Sequence, residues 1–291
     1  MKRWMTGVLI GLFAVVFVVS GIVLADYLLE DYRGQREYNE LAEIVEQARQ
    51  TMPTSSTEPS EEPTADTASS GDTTPTETTE PKPTGPVLTP VTDPETGETV
   101  EVLPEYAQLY LMNNDMVGWM KLEGTKLNYP VMQTPDRPNY YLERGFEKKF
   151  VSGGSLYARE SCDVAGPSDN VTIYGHNMKT GAMFAVLLKY RHESFFKEHQ
   201  LIQFDTLQER HTYQIFAVFR TTASVGQGFE YHQFIDAYDQ QEFDAFVSEC
   251  KRLSFYDTGI TPQYGSKLIT LSTCEYSQLN GRFVVVAMRV S

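Results

Sequence analysis

The sequence is poor in basic residues and in cysteine, and each shortage excludes a class of protein. Its 291 residues carry 24 Lys and Arg against 39 Asp and Glu, a formal net charge of −15. A chain this acidic is unsuited to neutralising a phosphate backbone, so nucleic acid is not an expected partner. The three cysteines, Cys162, Cys250 and Cys274, are too few for a disulfide framework, and no two have zinc-ligand spacing. We expect at least one free thiol, and a bond between Cys162 and Cys250 stays open.

Residues 51–100 contain no aromatic residue and one basic residue, Lys82. Fifteen Thr, nine of the chain's fifteen Pro and ten acidic residues fall in this stretch. Such a composition cannot bury a core, so we predict a disordered Thr/Pro/Glu-rich linker over 51–100. As a flexible coil it would span on the order of 40 Å and hold a domain away from a surface.

An uncharged apolar run covers residues 4–25. At about 1.5 Å per residue, a helix of this length crosses a hydrocarbon core of roughly 30 Å. Lys2 and Arg3 precede the run and acidic residues follow it, which favours a cytoplasmic N-terminus with the remainder outside. We therefore predict a cytoplasmic tip and transmembrane anchor over 1–25, in a single-pass protein of the cell membrane. A cleaved signal peptide ending near residue 25 is the alternative.

Two further regions follow from composition. Over residues 26–50, Tyr38, Leu41 and Val45 recur among Glu, Arg and Gln, which predicts an amphipathic juxtamembrane helix acting as a stalk. Residues 101–291 make one domain's length and hold all five histidines and all three cysteines. Any catalytic chemistry is therefore expected in this domain.

Short β-type runs dominate residues 101–291. Eight are recognised by alternation or apolar content, at 117–122, 127–132, 154–158, 170–176, 201–206, 211–221, 267–274 and 282–290. Helical spacing is found over 103–113, 180–190 and 239–253, and the last opens on a capping box of Asp239 and Glu242. Strands outnumber helices, so we predict a mainly β domain, either a barrel or a sandwich.

Cys274 ends one predicted strand and Arg282 begins the next. Antiparallel pairing would bring Arg282 back beside Cys274 across a seven-residue connection. A guanidinium in that place favours the thiolate, and it can donate hydrogen bonds to an oxyanion. This geometry suits acyl transfer by a cysteine nucleophile.

His176 is the best candidate for the base that such a nucleophile needs, because it also ends a β run. A lone cysteine or histidine is more often structural than catalytic, so each alone is weak evidence. Three such residues at strand ends strengthen the joint hypothesis, although spacing alone does not decide it. The other histidines lie among polar residues and are predicted at the surface or at edges: His192, His199, His211 and His232.

Two segments carry the motifs of a known family. Residues 270–274 read Thr-Leu-Ser-Thr-Cys, with Arg282 eight residues after the cysteine, and residues 174–178 read Tyr-Gly-His-Asn-Met. The first resembles the TLxTC…R signature of the sortases, and the second resembles the histidine segment of class B, the membrane-anchored cysteine transpeptidases of Gram-positive bacteria. Further similarity lies at 114–119, 129–131, 140–142 and 153–155, so the resemblance covers about 103–290.

The resemblance implies a fold and a reaction. The fold is a closed eight-stranded sortase β-barrel with an N-terminal helix and a helix in the connection between strands six and seven, where 239–253 fits. In the reaction, Cys274 attacks a Thr carbonyl in an NPxT-like C-terminal sorting motif, and an amine of a lipid-linked cell-wall precursor resolves the thioester. His176 would protonate the leaving amine and deprotonate the incoming one, and Arg282 would hold the oxyanion or the substrate backbone. Surface proteins bearing the motif are the implied partners, and no metal or cofactor is needed.

Substrate selection and the rival functions are less constrained. By position, four residues resemble counterparts of the family's peptide-binding residues: Leu142, Tyr174, Ser272 and Glu275. Residues 133–139 depart from the family's shorter pattern, so the pocket for the first motif residues, and the motif itself, could differ. One rival is a cysteine peptidase that hydrolyses the acyl-enzyme, although the order of His176 before Cys274 argues against a papain arrangement. The other is a catalytically silent binding module on the same barrel.

Overall fold

The computed structural model describes residues 2–51, 86–94, 96–166, 168–224 and 226–291, and residues 52–85 of the predicted linker lie outside the described residues. The α-helices are α1 (Lys2–Thr51), α2 (Ala107–Met112), α3 (Glu193–Glu198) and α4 (Gln240–Leu253). Four 3-10 helices cover Pro104–Tyr106, Tyr140–Glu143, Phe184–Arg191 and Tyr231–Gln233. The strands are β1 (Thr89–Thr92), β2 (Thr99–Val102), β3 (Met116–Lys121), β4 (Asn128–Met132), β5 (Leu156–Ala158), β6 (Asn170–Tyr174), β7 (Leu201–Thr206), β8 (Thr212–Thr222), β9 (Leu268–Cys274) and β10 (Gly281–Arg289).

Strands β3 to β10 form a closed barrel in the order β10-β8-β7-β3-β4-β5-β6-β9. The barrel closes because β9 pairs with β10 on one side and with β6 on the other. Neighbouring strands run antiparallel except for β4 with β5 and β6 with β9, which are parallel. Each strand matches a predicted run to within two residues at either end, and the predicted mainly β, eight-stranded barrel is confirmed.

Helix α4 covers the outer face of the barrel between its sixth and seventh strands, as predicted. Its buried face, which includes Phe243 and Cys250, packs against apolar residues of β8 and β10. The helix begins at the expected cap, since the Asp239 carboxylate accepts a hydrogen bond from the Glu242 amide at 2.9 Å. The Glu242 carboxylate in turn accepts from the Tyr238 amide at 2.8 Å. Reciprocal capping of this kind fixes where the helix starts.

The second half of α1 packs against the barrel, so the predicted stalk is wrong for this part of the helix. Tyr38, Leu41 and Val45 are 1–3% exposed and belong to the main hydrophobic core. Arg49, near the end of the helix, donates hydrogen bonds of 2.8 Å to the Asp205 carboxylate and to the Tyr106 hydroxyl. The apolar stripe is buried because the barrel wall and the segment before α2 offer it a complementary surface.

Two further expectations for the N-terminal third change. Strands β1 and β2 pair as a hairpin, with Val91 and Val102 buried in the core, so ordered structure begins well before the predicted linker end at residue 100. Within the described residues, none of the helices combines the length and the apolar character needed to cross a membrane. The anchor predicted over 4–25 is therefore not supported by the structure.

The predicted helix over 180–190 is a 3-10 helix that begins at Phe184. Met183 precedes it with a φ of 53°, in the left-handed region, and forms a β-bridge with Asn177. An α-helix cannot pass through such a residue, because each of its residues needs a negative φ. The bridge closes a compact loop over 178–182, immediately after His176.

Candidate active site

Cys274 and Arg282 lie opposite each other where β9 ends and β10 begins. Their Cα atoms are register partners in the antiparallel pair, as the sequence predicted. The Glu275 amide donates to the Gly281 carbonyl at 2.9 Å, which closes the connecting turn. Cys274 is partly exposed, whereas the other residues of β9 are buried. The thiol therefore stands at the rim of the barrel.

The Arg282 guanidinium is held by its own turn. Its Nη1 atom donates to the carbonyl oxygens of Gly281 at 3.0 Å and of Asn280 at 3.4 Å. Burial raises the pKa of Tyr157, the charge on Cys274 raises it further, and Arg282 lowers it. Burial likewise raises the pKa of Tyr231 to about 12, with smaller effects of Arg282 and Cys274. The sulfur and the guanidinium thus act on the same two tyrosines and share one environment.

His176 follows β6, and the residues on either side of it are bonded to the end of β9. The Gly175 amide donates to the Ser272 carbonyl at 3.2 Å. The Asn177 side-chain amide donates to the Cys274 carbonyl at 3.1 Å. Because β6 and β9 are adjacent and parallel, both strands deliver their C-terminal ends to the same mouth of the barrel. The structure therefore brings the predicted histidine segment to the predicted cysteine.

The imidazole of His176 is oriented by a backbone carbonyl. Its Nε2 atom lies 2.7 Å from the carbonyl oxygen of Leu142, in the 3-10 helix Tyr140–Glu143. A carbonyl oxygen only accepts hydrogen bonds, so this contact assigns the proton to Nε2. In the neutral ring Nδ1 is then the atom that can take up a proton.

The four predicted peptide-binding residues differ in how they stand at the site. Leu142 is exposed and Tyr174 partly exposed, and the Tyr174 ring lies 5.4 Å from that of Tyr157, centroid to centroid. Ser272 is 1% exposed, and its hydroxyl lies 2.6 Å from the Tyr231 hydroxyl. The buried Glu275 carboxylate accepts hydrogen bonds from the amide and the hydroxyl of Ser277. The last two side chains are thus engaged within the protein, supporting the wall and the turn.

Several residues around the site were missed by sequence reasoning. Tyr157 and Tyr231 flank the thiol, yet in the sequence each is an unremarkable aromatic in a strand or loop. Asn177 was visible only as the neighbour of the histidine. His232 was predicted at the surface but is half-buried against Tyr231, with ring centroids 5.5 Å apart. Burial lowers the pKa of His232, and the nearby Arg159 lowers it further.

The comparisons with known proteins agree with this geometry. A family model described as the sortase domain matches residues 120–290. The chain belongs to the sortase family. This sortase is 34% identical over 188 residues to sortase B of Staphylococcus aureus, an alignment that covers 64% of this chain and 75% of that protein. It is 31% identical over 187 residues to sortase B of Listeria monocytogenes, with 64% and 74% covered.

Solved structures extend the likeness to the whole fold. Sortase B from Bacillus anthracis, in complex with AAEK1, superposes with a TM-score of 0.65 at 25% identity and covers 91% of this chain and 99% of that one. A complex of S. aureus sortase B with substrate gives a TM-score of 0.60 at 33% identity, covering 65% and 86%. Together the relatives identify this sortase as a class B cysteine transpeptidase.

Of the three free cysteines of this sortase, Cys274 alone is accessible. Cys162 is 5% exposed, and its sulfur lies 3.6 Å from the Asn170 carbonyl oxygen. Cys250 is fully buried on α4. Burial raises the pKa of both thiols, which keeps them protonated and unreactive. Among the described residues there is no group of three or more side chains that could hold a metal ion.

Proposed function

We propose that this sortase, acting outside the cell, cleaves an NPxT-like sorting motif after its Thr and joins the surface protein to an amine of a lipid-linked peptidoglycan precursor. The Cys274 sulfur attacks the Thr carbonyl carbon, and the peptide bond after Thr breaks to release an amine. The incoming amine then attacks the thioester carbonyl and frees the sulfur. One observation carries the proposal: the accessible thiol lies opposite Arg282, and its own carbonyl is bonded to the residue after His176.

The proton transfers are assigned to His176. With Nε2 committed to the Leu142 carbonyl, Nδ1 is the atom that gives a proton to the leaving nitrogen and takes one from the incoming amine. The same ring atom serves both half-reactions, so the histidine returns to its starting state after each turnover. No other proton carrier is required by the balance.

Charge on the reacting carbonyl oxygen is assigned to Arg282. A guanidinium carries five N–H donors, and the Gly281 and Asn280 carbonyls engage only Nη1. The remaining donors suit an oxyanion or the substrate backbone, and they strengthen as negative charge develops on the oxygen.

The substrate is proposed to lie across Leu142 and Tyr174, on the wall supported by Ser272 and Glu275. The residues before Leu142 differ from the family pattern, and here Arg137 lies over the Tyr140 ring at 4.2 Å, with Arg144 over the same ring at 4.4 Å. This stack alters the surface that would receive the first motif residues, so selectivity at those positions is expected to differ from that of relatives. S. aureus sortase B has been solved with substrate and with triglycine, and triglycine is therefore a reasonable test amine.

A product assay tests the proposal. The full chain is incubated with a peptide bearing an NPxT-type motif, with and without triglycine, and the products are identified by mass spectrometry. We expect a new amide between the Thr carboxyl and triglycine, and no product from Cys274→Ala. Hydrolysed peptide alone, at every triglycine concentration, would favour the cysteine peptidase. Surface-protein binding that survives in Cys274→Ala without any turnover of the parent would favour the silent binding module.

A further inference from the structure

Tyr38 of α1 reaches from the N-terminal helix into the segment that supports the active site. The side chain is 1% exposed, and its hydroxyl donates to the Gly154 carbonyl at 2.7 Å. The same hydroxyl lies 2.8 Å from the Ser155 hydroxyl. Burial raises the pKa of Tyr38, so the group stays protonated and remains a donor. The contact therefore joins residues 116 and 117 positions apart in the chain.

Gly154 and Ser155 in turn hold the 3-10 helix Tyr140–Glu143 and the residue that follows it. The Ser155 amide donates to the Tyr141 carbonyl at 3.0 Å, and the Ser155 hydroxyl donates to the Arg144 carbonyl at 2.9 Å. Gly154 adopts a φ of +53°, and a Cβ atom placed on it would stand 2.2 Å from the Leu142 carbonyl oxygen. Only glycine allows so close an approach. The position of the Leu142 carbonyl is thus set by the backbone that Tyr38 binds.

The Leu142 carbonyl is the atom that orients His176. Its distance to Nε2 is 2.7 Å, and the contact decides which ring nitrogen carries the proton. An unbroken series of short contacts therefore runs from α1 through Gly154 and Ser155 to the imidazole. Displacing the Leu142 carbonyl by a few tenths of an ångström would weaken that hydrogen bond and free the ring to rotate.

We propose that Tyr38 is a positioning residue for His176, which makes the N-terminal helix part of the support of the active site. This rests on the proposed function of His176 in proton transfer. Tyr38 acts through Gly154 and Ser155 and does not touch the imidazole. Tyr141 is also held from the opposite side, because its hydroxyl bonds Asn113 and Asp115. Loss of the Tyr38 hydroxyl should therefore shift the segment without unfolding it.

The test compares Tyr38→Phe with a matched control in the full chain. The substitution removes the hydroxyl and keeps the buried ring. Tyr129→Phe removes a second hydroxyl from the same interface, one that contacts Gln35 of α1, on a ring 5.3 Å from that of Tyr38. We expect kcat to fall about tenfold in Tyr38→Phe, with KM for the peptide within twofold of the parent, and little change in Tyr129→Phe.

A spectroscopic readout separates positioning from general destabilisation. The ¹⁵N signals of the His176 ring report the tautomer and the Nε2 hydrogen bond, and we expect them to shift in Tyr38→Phe and in Ser155→Ala but not in Tyr129→Phe. Unchanged ring signals and unchanged kcat in Tyr38→Phe would overturn the inference, and so would equal losses in Tyr38→Phe and Tyr129→Phe. If the parent forms no amide product, the proposed function fails, while the ring signals still decide the role of Tyr38.

Discussion

The side-chain amide of Asn177 donates a hydrogen bond of 3.1 Å to the backbone carbonyl of Cys274, from 97 positions away in the chain. The residue after the histidine is thereby bonded to the cysteine itself. The bond crosses between the ends of β6 and β9, which are parallel neighbours. It fixes the spacing of the two segments at a point where the regular strand pairing has already ended.

Asn177→Ala should lower kcat about tenfold, because His176 loses its fixed distance from the sulfur when the bond to the Cys274 carbonyl is removed. Asn177→Asp should be worse, since a carboxylate would face a carbonyl oxygen without a proton to donate. The measurement is steady-state cleavage of the sorting peptide. Gln208→Ala is the control, because its amide also donates to a backbone carbonyl, that of Glu101, away from the site. Full activity in Asn177→Ala would contradict the positional role.

Arg282→Lys should lower kcat/KM about a hundredfold. An ammonium cannot keep its bonds to the turn and at the same time present a planar fork to the reacting oxygen. The matched control is Arg289→Lys, at the other end of the same strand, which should leave kcat/KM within twofold. Peptide cleavage kinetics check both variants. Comparable activity of Arg282→Lys and the parent would remove Arg282 from the reaction.

Arg49→Met should destabilise the fold by about 2 kcal/mol, because it leaves buried carboxylates without their cation. Arg49 pairs with Asp205 at 2.8 Å and with Glu105 at 3.4 Å, and both carboxylates are nearly inaccessible. Arg36→Met removes an exposed pair with Glu40 on the same helix and should cost under about 0.5 kcal/mol. Chemical unfolding of the full chain measures both. Equal losses would mean that the end of α1 is not docked through Arg49.

His211 should make the fold sensitive to acid. Burial, helped by the nearby Arg289, lowers the pKa of His211 in the folded state, while the unfolded value is about 6.5. The unfolded chain therefore binds the proton first, and stability is lost as the pH falls from about 6.5 towards the folded pKa. His211→Gln should lose less Tm between pH 7 and pH 5 than the parent, whereas His192→Gln, at an exposed position, should follow the parent. An unchanged slope in His211→Gln would contradict the assignment.

The strands and the cap were predictable because they depend on local pattern. Alternating apolar residues marked every barrel strand, and the side-chain chemistry of Asp239 and Glu242 marked the start of α4. The register of Cys274 with Arg282 also followed from sequence, since a short connection between two antiparallel strands leaves little choice of pairing.

The docking of α1 was not predictable in the same way. Tyr38, Leu41 and Val45 showed that one face of the helix is apolar, but the pattern does not say what covers that face. The hairpin of β1 and β2 was hidden for a related reason, because Pro and Thr dominate its surroundings and only Val91 and Val102 are buried. In both cases the burying surface comes from distant parts of the chain.

The supports of the site were the hardest to predict. The acceptor for His176 is a main-chain carbonyl, which every residue carries, so nothing in the sequence distinguishes Leu142 in that role. Gly154 could have been a signal, but its close approach to Leu142 appears only in three dimensions. His211 and His232 were assigned to the surface from polar neighbours, and tertiary packing buried one fully and the other in part.

The most direct test of the account is the mass of the intermediate on Cys274. The full chain is mixed with the sorting peptide in the absence of an amine, quenched in acid, digested and analysed by tandem mass spectrometry. The account predicts a thioester between the Cys274 sulfur and the peptide fragment ending in Thr, which is absent in Cys274→Ala and disappears when triglycine is added. Turnover without any adduct on Cys274, or an adduct on Cys162 or Cys250 instead, would contradict it.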